Sequence, residues 1–148
     1  MSQKEILSLS QARAAVEAAL LEASKQPSRP MAVAVVDEQG DLVYFGRMDG
    51  AYPLFVHMAI SKAYTASRML KDTAVFAERD HELGRELATW ADSRFTYIRG
   101  GQCIVKPGDG FIPGNPSKGT VIGGIGASGR APEEDEAIAL AGLKAIKF

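Results

Sequence analysis

The sequence predicts an α/β (α+β) fold, in which helices pack on the faces of a mostly antiparallel sheet. Two short apolar segments with a period of two residues flank a turn at Asp37–Gly40, which is typical of a β-hairpin. Segments with helical periodicity precede and follow this hairpin. Near the C-terminus, a glycine-rich strand leads into a final helix. Hairpin connections favour antiparallel pairing, and the helices then cover the sheet.

Length and composition limit the classes of protein that fit. The 148 residues predict one domain over residues 1–148, and 46% hydrophobic with 24% charged residues is typical of a globular protein. A net charge of −1 argues against a nucleic-acid partner. No apolar stretch reaches the roughly 20 residues of a membrane span. The start, MSQKEILSLS, is too polar for a signal peptide, so we expect a cytoplasmic protein.

The first third of the chain predicts a helix followed by a hairpin. Apolar residues recur at helical spacing from Ser8 to Ser24, and Ser8 with Gln11 can form a capping box. Prolines then end the helix. The two strands of the hairpin are predicted over Met31–Val36 and Leu42–Arg47.

Two further helices are predicted after the hairpin. The first runs from about Pro53 to Leu70, because proline suits the first turn of a helix. The next begins at Asp72, as the N-cap, and continues to about Trp90. Its outer face is interpreted as a solvated surface and carries Glu78, Arg79, Asp80, Glu82, Arg85 and Glu86.

The C-terminal part predicts short strands, a loop and a helix. Strands are predicted over Phe95–Ile98, Gln102–Lys106 and Thr120–Ser128, and a loop over Pro107–Lys118. The glycines of the last strand permit close approach of a ligand or a helix. The last helix begins near Pro132, with acidic residues in its first turn and lysines in its last.

Four ionisable residues follow the hairpin closely: Arg47, Asp49, His57 and Lys62. Loops and helix ends on a rigid sheet are where functional groups concentrate. His57 could ligate iron or move a proton, because imidazole titrates near neutrality. Lys62 lies in a segment with few other charges, where it is a surface lysine, an anion anchor or an ion-pair partner of Asp49.

Other reactive residue types have simpler interpretations. His81 lies among charged residues and is expected to be a solvated surface residue. Cys103 is the only cysteine and lies in an apolar strand, where an inert buried thiol is the main interpretation and a thiolate ligand or nucleophile the alternative. One cysteine and two histidines exclude the usual Cys/His zinc site.

The segment Gly124–Gly129 matches GxGxxG between a strand and a helix. A dinucleotide site requires a following βαβ unit, and the chain ends after one helix. Backbone amides of Gly126–Gly129 could hold an anion at the start of that helix. Otherwise the strand simply packs against the helix.

Four motifs in order resemble the GlcG/HbpS family, which includes the C-terminal domain of PduO-type proteins. They are AVVDEQGDLVYFGRMDGA, SKAYTA, the pair Gly100–Gly101, and GGIGASG followed by EEDEAIALAG. The resemblance covers about residues 8–147. It implies a profilin-like fold assembled as a homo-oligomer. It also implies haem as a possible cofactor, with some members linked to haem degradation or redox sensing and others to catabolism.

Two functional hypotheses follow. In the first, the protein binds haem or a related tetrapyrrole: His57, or less readily Cys103, approaches the iron, and Lys62 or Arg47 pairs with a propionate. The family's glycine motifs add Gly101, Gly126 and Gly129 to this cofactor-binding set.

In the second hypothesis, the protein is a small enzyme, tautomerase- or isomerase-like, acting on a carboxylated metabolite. Lys62, Arg99 or the amides of Gly126–Gly129 would hold the carboxylate, and Asp49 or His57 would move a proton. A scaffold without chemistry is the third interpretation.

Overall fold

The computed structural model describes residues 6–148 and places a four-stranded antiparallel sheet between two layers of helices. The strand order is β2-β1-β4-β3. The elements are α1 (Leu9–Ala23), β1 (Ala32–Asp37), β2 (Leu42–Arg47), α2 (Pro53–Met69), α3 (Thr73–Glu82), a 3₁₀ helix (Leu87–Trp90), β3 (Gly101–Phe111), β4 (Lys118–Ser128) and α4 (Pro132–Leu143). The predicted α+β architecture with an antiparallel sheet is confirmed.

Helix α1 begins at the predicted capping box. The Gln11 backbone N–H donates to Ser8 Oγ, and the Ser8 N–H donates to Gln11 Oε1, both over 3.0 Å. These two bonds satisfy backbone donors that the first turn of a helix leaves without partners. The local sequence therefore fixes where this helix starts.

Strand β1 is central and buried on both faces. Val33 and Val35 pack against α1 and α4, whereas Ala32, Ala34 and Val36 pack beneath α2. Alternate residues of a strand point to opposite faces, so each of the two helical layers contacts a different set of β1 side chains. The small alanines leave room for α2 to lie close to the sheet.

Strand β4 carries glycines where α2 crosses it. A Cβ atom at Gly126 would lie 2.6 Å from the Ala63 backbone nitrogen and still closer to the Ala59 carbonyl oxygen. A Cβ at Gly124 would meet the Ala63 carbonyl oxygen and lie 3.0 Å from the Ser67 nitrogen. The close approach predicted for this strand is therefore made by a helix, and the helix is α2 rather than the last one.

The prediction of one helix from Asp72 to Trp90 is wrong. Helix α3 ends at Glu82, because Gly84 has a φ of +66° that a continuing helix cannot adopt. Asp80 was predicted to be solvated, but it is 1% exposed. Its Oδ2 accepts hydrogen bonds from Trp90 Nε1 at 2.6 Å and from the Tyr97 hydroxyl at 2.8 Å.

Two predictions for the C-terminal half are also corrected. Residues Phe95–Ile98 form no strand, and Pro107–Lys118 is not simply a loop, because β3 continues to Phe111 and pairs with β4. A proline is tolerated in β3 because this is an edge strand. Helix α4 ends at Leu143, so Lys144 follows its last turn.

The outer edge of β3 is covered by side chains at its start. The Gly101 N–H donates to Thr73 Oγ1 at 3.1 Å, and the Cys103 N–H donates to Asp72 Oδ1 at 2.8 Å. Asp72 occupies the N-cap position of α3, but its carboxylate binds the strand and not the helix. These bonds satisfy donors that an edge strand would otherwise expose.

Within residues 6–148, no helix is long and apolar enough to cross a membrane.

We expect Gly126→Ala to lower the free energy of unfolding by about 2–3 kcal/mol, because the new methyl group meets helix backbone that cannot move aside. Urea unfolding followed by circular dichroism measures this. Gly108→Ala is the matched control, since a Cβ there has nothing nearer than 3.9 Å. Equal stability of the two variants would contradict the packing argument.

Candidate functional site

Lys62 is held inside the protein by two hydrogen bonds. Its side chain is 1% exposed, and Nζ donates to Asp135 Oδ2 and to the Ala127 carbonyl oxygen, each over 2.9 Å. The hypothesis that Lys62 pairs with Asp49 is therefore wrong. The partner lies at the start of α4, in the opposite helical layer.

The Asp135 carboxylate is surrounded by donors. Its Oδ1 accepts from the Arg130 backbone N–H at 2.8 Å, and the Gly129 N–H also hydrogen-bonds to it. Burial raises the pKa of Asp135, while the ammonium of Lys62 and these donors oppose the rise. Burial lowers the pKa of Lys62, and the neighbouring carboxylate opposes that shift.

An anion thus occupies the start of α4, as the sequence suggested, but it is the chain's own carboxylate. The positive end of the helix and the lysine both stabilise it. The ion pair joins α2 to α4 at the end of β4. Sequence reasoning assigned Asp135 only to the helix dipole; a lone lysine on an apolar helix was the signal that a buried acid must exist.

The glycines predicted to bind a cofactor each contact backbone. A Cβ at Gly101 would meet the Lys62 carbonyl oxygen, and one at Gly126 the Ala59 carbonyl oxygen. Gly129 has a φ of +146°, and a Cβ there would lie 2.8 Å from the Pro30 carbonyl oxygen. Close packing explains these residue types without a ligand; their role in binding stays a prediction.

The other predicted site residues lie on the surface. Arg47, Asp49 and His57 are exposed, and no hydrogen bond or ion pair joins any of them to Lys62. The start of α2 also exposes Tyr52 and Leu54, which are 68% and 62% accessible. We call Arg47, Asp49, Tyr52, Leu54 and His57 together the α2 surface.

The α2 surface has one feature that suits a planar ligand. His57 follows Leu54 by three residues on α2, so the imidazole and the exposed isobutyl group share one side of the helix. Tyr52 stacks near Phe55, with ring centroids 5.4 Å apart. The structure therefore divides the predicted residues into a buried set around Lys62 and an exposed set around His57.

Cys103 is buried, as expected. Its Sγ donates to the Ala66 carbonyl oxygen at 3.1 Å, and burial strongly raises the pKa of the thiol. The thiolate needed for a nucleophile or metal ligand is therefore disfavoured. His81 is exposed, also as expected. In residues 6–148, no three His, Cys, Asp or Glu side chains are grouped to hold a metal ion.

Replacing Lys62 by methionine leaves the Asp135 carboxylate buried without its counter-ion, so we expect a loss of about 3–5 kcal/mol in the free energy of unfolding. Lys144→Met, at an exposed lysine, is the control and should change stability by less than about 0.5 kcal/mol. Denaturant titration compares them.

The double variant Lys62→Met with Asp135→Asn tests the pairing itself. Its destabilisation should be at least about 1 kcal/mol smaller than the sum of the two single losses, because neither partner is left alone with a charge. Strict additivity would show that the two side chains do not stabilise each other.

Comparison with known proteins places this architecture in a family. The sequence profile of the family described as haem degrading protein HbpS-like matches residues 7–144. No curated protein sequence matches the chain significantly.

The solved structures that are similar to the chain include the following three. A double mutant of HbpS from Streptomyces reticuli is 28% identical, with a TM-score of 0.79, covering 100% of this chain and 92% of that one. The PduOC–haem complex is 26% identical, with a TM-score of 0.77, covering 97% and 96%. Protein ORFY of Klebsiella pneumoniae is 22% identical with a TM-score of 0.78, covers 97% and 93%, and supports the fold alone. The chain belongs to the HbpS-like haem degrading protein family, as its four motifs indicated.

Proposed function

We propose that the protein binds haem on the α2 surface, with His57 as the iron ligand. The observation that carries this proposal is the exposed imidazole beside exposed apolar side chains at the start of α2. Membership of an HbpS-like family, and the similarity to a PduO protein complexed with haem, support haem as the ligand. In this complex, the haem would contribute the iron and an apolar ring. The protein would contribute an axial ligand for the iron and an apolar surface for the ring.

His57 fits the role of axial ligand better than Cys103. An accessible imidazole can approach iron directly, and the axial ligand is a principal means by which a protein controls haem iron. The Cys103 thiol lies inside the protein with a raised pKa and donates to a carbonyl oxygen. It would have to leave that position and lose a proton.

Arg47 is the propionate partner that we propose. It is exposed at the end of β2, and its side chain forms no hydrogen bond or ion pair within the described chain, so the guanidinium can pair with a carboxylate. Lys62 already bonds to Asp135, and we assign it to positioning α2. Gly101, Gly126 and Gly129 contribute in the same indirect way, since they let backbone segments pack closely.

One protomer would cover only one face of the macrocycle. Tyr52 and Leu54 are more than half exposed in the single chain. We therefore propose that a second copy in a homo-oligomer covers the other face, which would bury these side chains together with the ligand.

The alternative of a proton-transfer enzyme gains no support from the geometry. It needs Asp49 or His57 beside an anchor for the carboxylate. Of the three candidate anchors, Lys62 is enclosed with Asp135, Arg99 pairs with Glu136, and the Gly126–Gly129 segment packs against the protein's own backbone. The proposed cytoplasmic location and catabolic setting stay predictions.

Titration of haemin into the purified protein tests the proposal. We expect a shifted Soret band that saturates at a fixed stoichiometry, and a different band in His57→Ala because the imidazole is gone. His81→Ala, which removes the other histidine from an exposed position, should behave as the wild type. Arg47→Met should weaken binding about two- to fivefold, as for an exposed ion pair.

Two results would count against this assignment. The absence of a Soret shift at stoichiometric haemin would reject haem binding altogether. A shift of the same form in the wild type and in His57→Ala would reject His57 as the ligand, and Cys103→Ala would then decide whether the thiol replaces it.

A further inference from the structure

We propose that a groove along the outer edge of β3 is a second binding site, for a small organic anion with an apolar body. The groove has a volume of about 270 Å³. We call it the edge groove. Its walls are formed by the junction of α2 and α3, the edge of β3, the turn before β4 and the end of α4. The lining residues include Lys71, Val75, Gln102, Val105, Ser117 and Leu143.

The side-chain amide of Gln102 is available to a ligand in the edge groove. The residue is 5% exposed and lines the edge groove, and its side-chain amide forms no hydrogen bond with residues 6–148. The amide atoms are not sealed from solvent, so a ligand that enters the groove would displace water from them and must replace its hydrogen bonds to bind well. A ligand polar atom in the groove would replace them.

An unpaired cation lies at the same groove. Lys71 lines the groove, and its side chain forms no hydrogen bond or ion pair with the described residues. Helix α3 begins two residues later, so backbone N–H groups at its start add positive potential. Neither feature would suffice alone, but together with the Gln102 amide they favour an anion.

Asp72 is the acidic side chain that lines the groove. Its carboxylate is turned to β3, where Oδ1 accepts from the Cys103 N–H at 2.8 Å. Burial raises the pKa of Asp72, and the hydrogen bond from Cys103 opposes the rise. Glu136 is the next acidic neighbour, and Arg99 neutralises it through two hydrogen bonds.

The remaining wall is apolar and sets the size of the ligand. Val75, Val105 and Leu143 offer aliphatic contacts on three sides. Sites for drug-sized ligands and cofactors occupy about 300–1,000 Å³, so this groove suits a small molecule and is too small to enclose a haem. The ligand that fits is a small carboxylic acid with a branched or aromatic body. Its carboxylate would pair with Lys71 and hydrogen-bond to the Gln102 amide.

Isovalerate and benzoate are suitable probes, and isovaleramide is the neutral control. In a ¹H–¹⁵N correlation spectrum, each anion at about 10 mM should shift the Gln102 side-chain amide and the backbone signals of Lys71 and Val105, as for a dissociation constant near 1 mM. Isovaleramide should bind at least about tenfold more weakly, since it lacks the charge. The absence of shifts with both anions, or equal binding of the amide, would overturn the proposal.

Two variants with matched controls assign the contacts. Lys71→Met and Gln102→Leu should each weaken isovalerate binding about tenfold, whereas Lys118→Met and Gln39→Leu, at exposed positions, should not change it. Gln102→Leu should keep or raise the melting temperature, because it removes an unpaired amide. Unchanged affinity in both groove variants would overturn the site.

The same variants separate this site from haem binding. Lys71→Met should titrate with haemin as the wild type does. Loss of the Soret shift in Lys71→Met would instead show that the groove belongs to the haem site, and would overturn it as a second site.

Discussion

The close contact between α2 and β4 is the constraint on which the rest of the structure depends. Glycines at 124 and 126 bring the helix axis so near the sheet that backbone meets backbone. The short distance between helix and sheet fixes how far the Cα atom of Lys62 lies above the sheet. From that position the ammonium reaches Asp135 beyond the end of β4. The position of α2 on the sheet also decides which side of its first turns is exposed to solvent.

The position along α2 therefore decides what each side chain can do. Near the middle of the helix, Lys62 is enclosed and acts as a structural cation. At the start, His57 is accessible, and its neighbours are apolar. One helix thus carries a buried structural ion pair and an exposed surface a short distance apart. Ligand sites gain precision when they are built on such fixed elements.

Local sequence was enough to predict α1, the hairpin strands and the start of α2, because caps, periodicity and turn residues are local properties. It was not enough for Asp80, whose burial depends on Trp90 and Tyr97 folding back over α3. The continued pairing of β3 to Phe111 depends on β4 and cannot be read from prolines and glycines. The partner of Lys62 lies 73 residues away, a separation that no spacing rule connects.

The two edges of the sheet differ, and this difference limits how copies can associate. Asp72 and Thr73 occupy the donors at the start of β3, so another strand cannot add there without displacing them. Only β2 at the opposite edge lacks such a cover from α3. Strand addition at the start of β3 would therefore cost these two hydrogen bonds, whereas addition at β2 would not. This difference disfavours a continuous ribbon in which the β3 edge of one copy pairs with the β2 edge of the next.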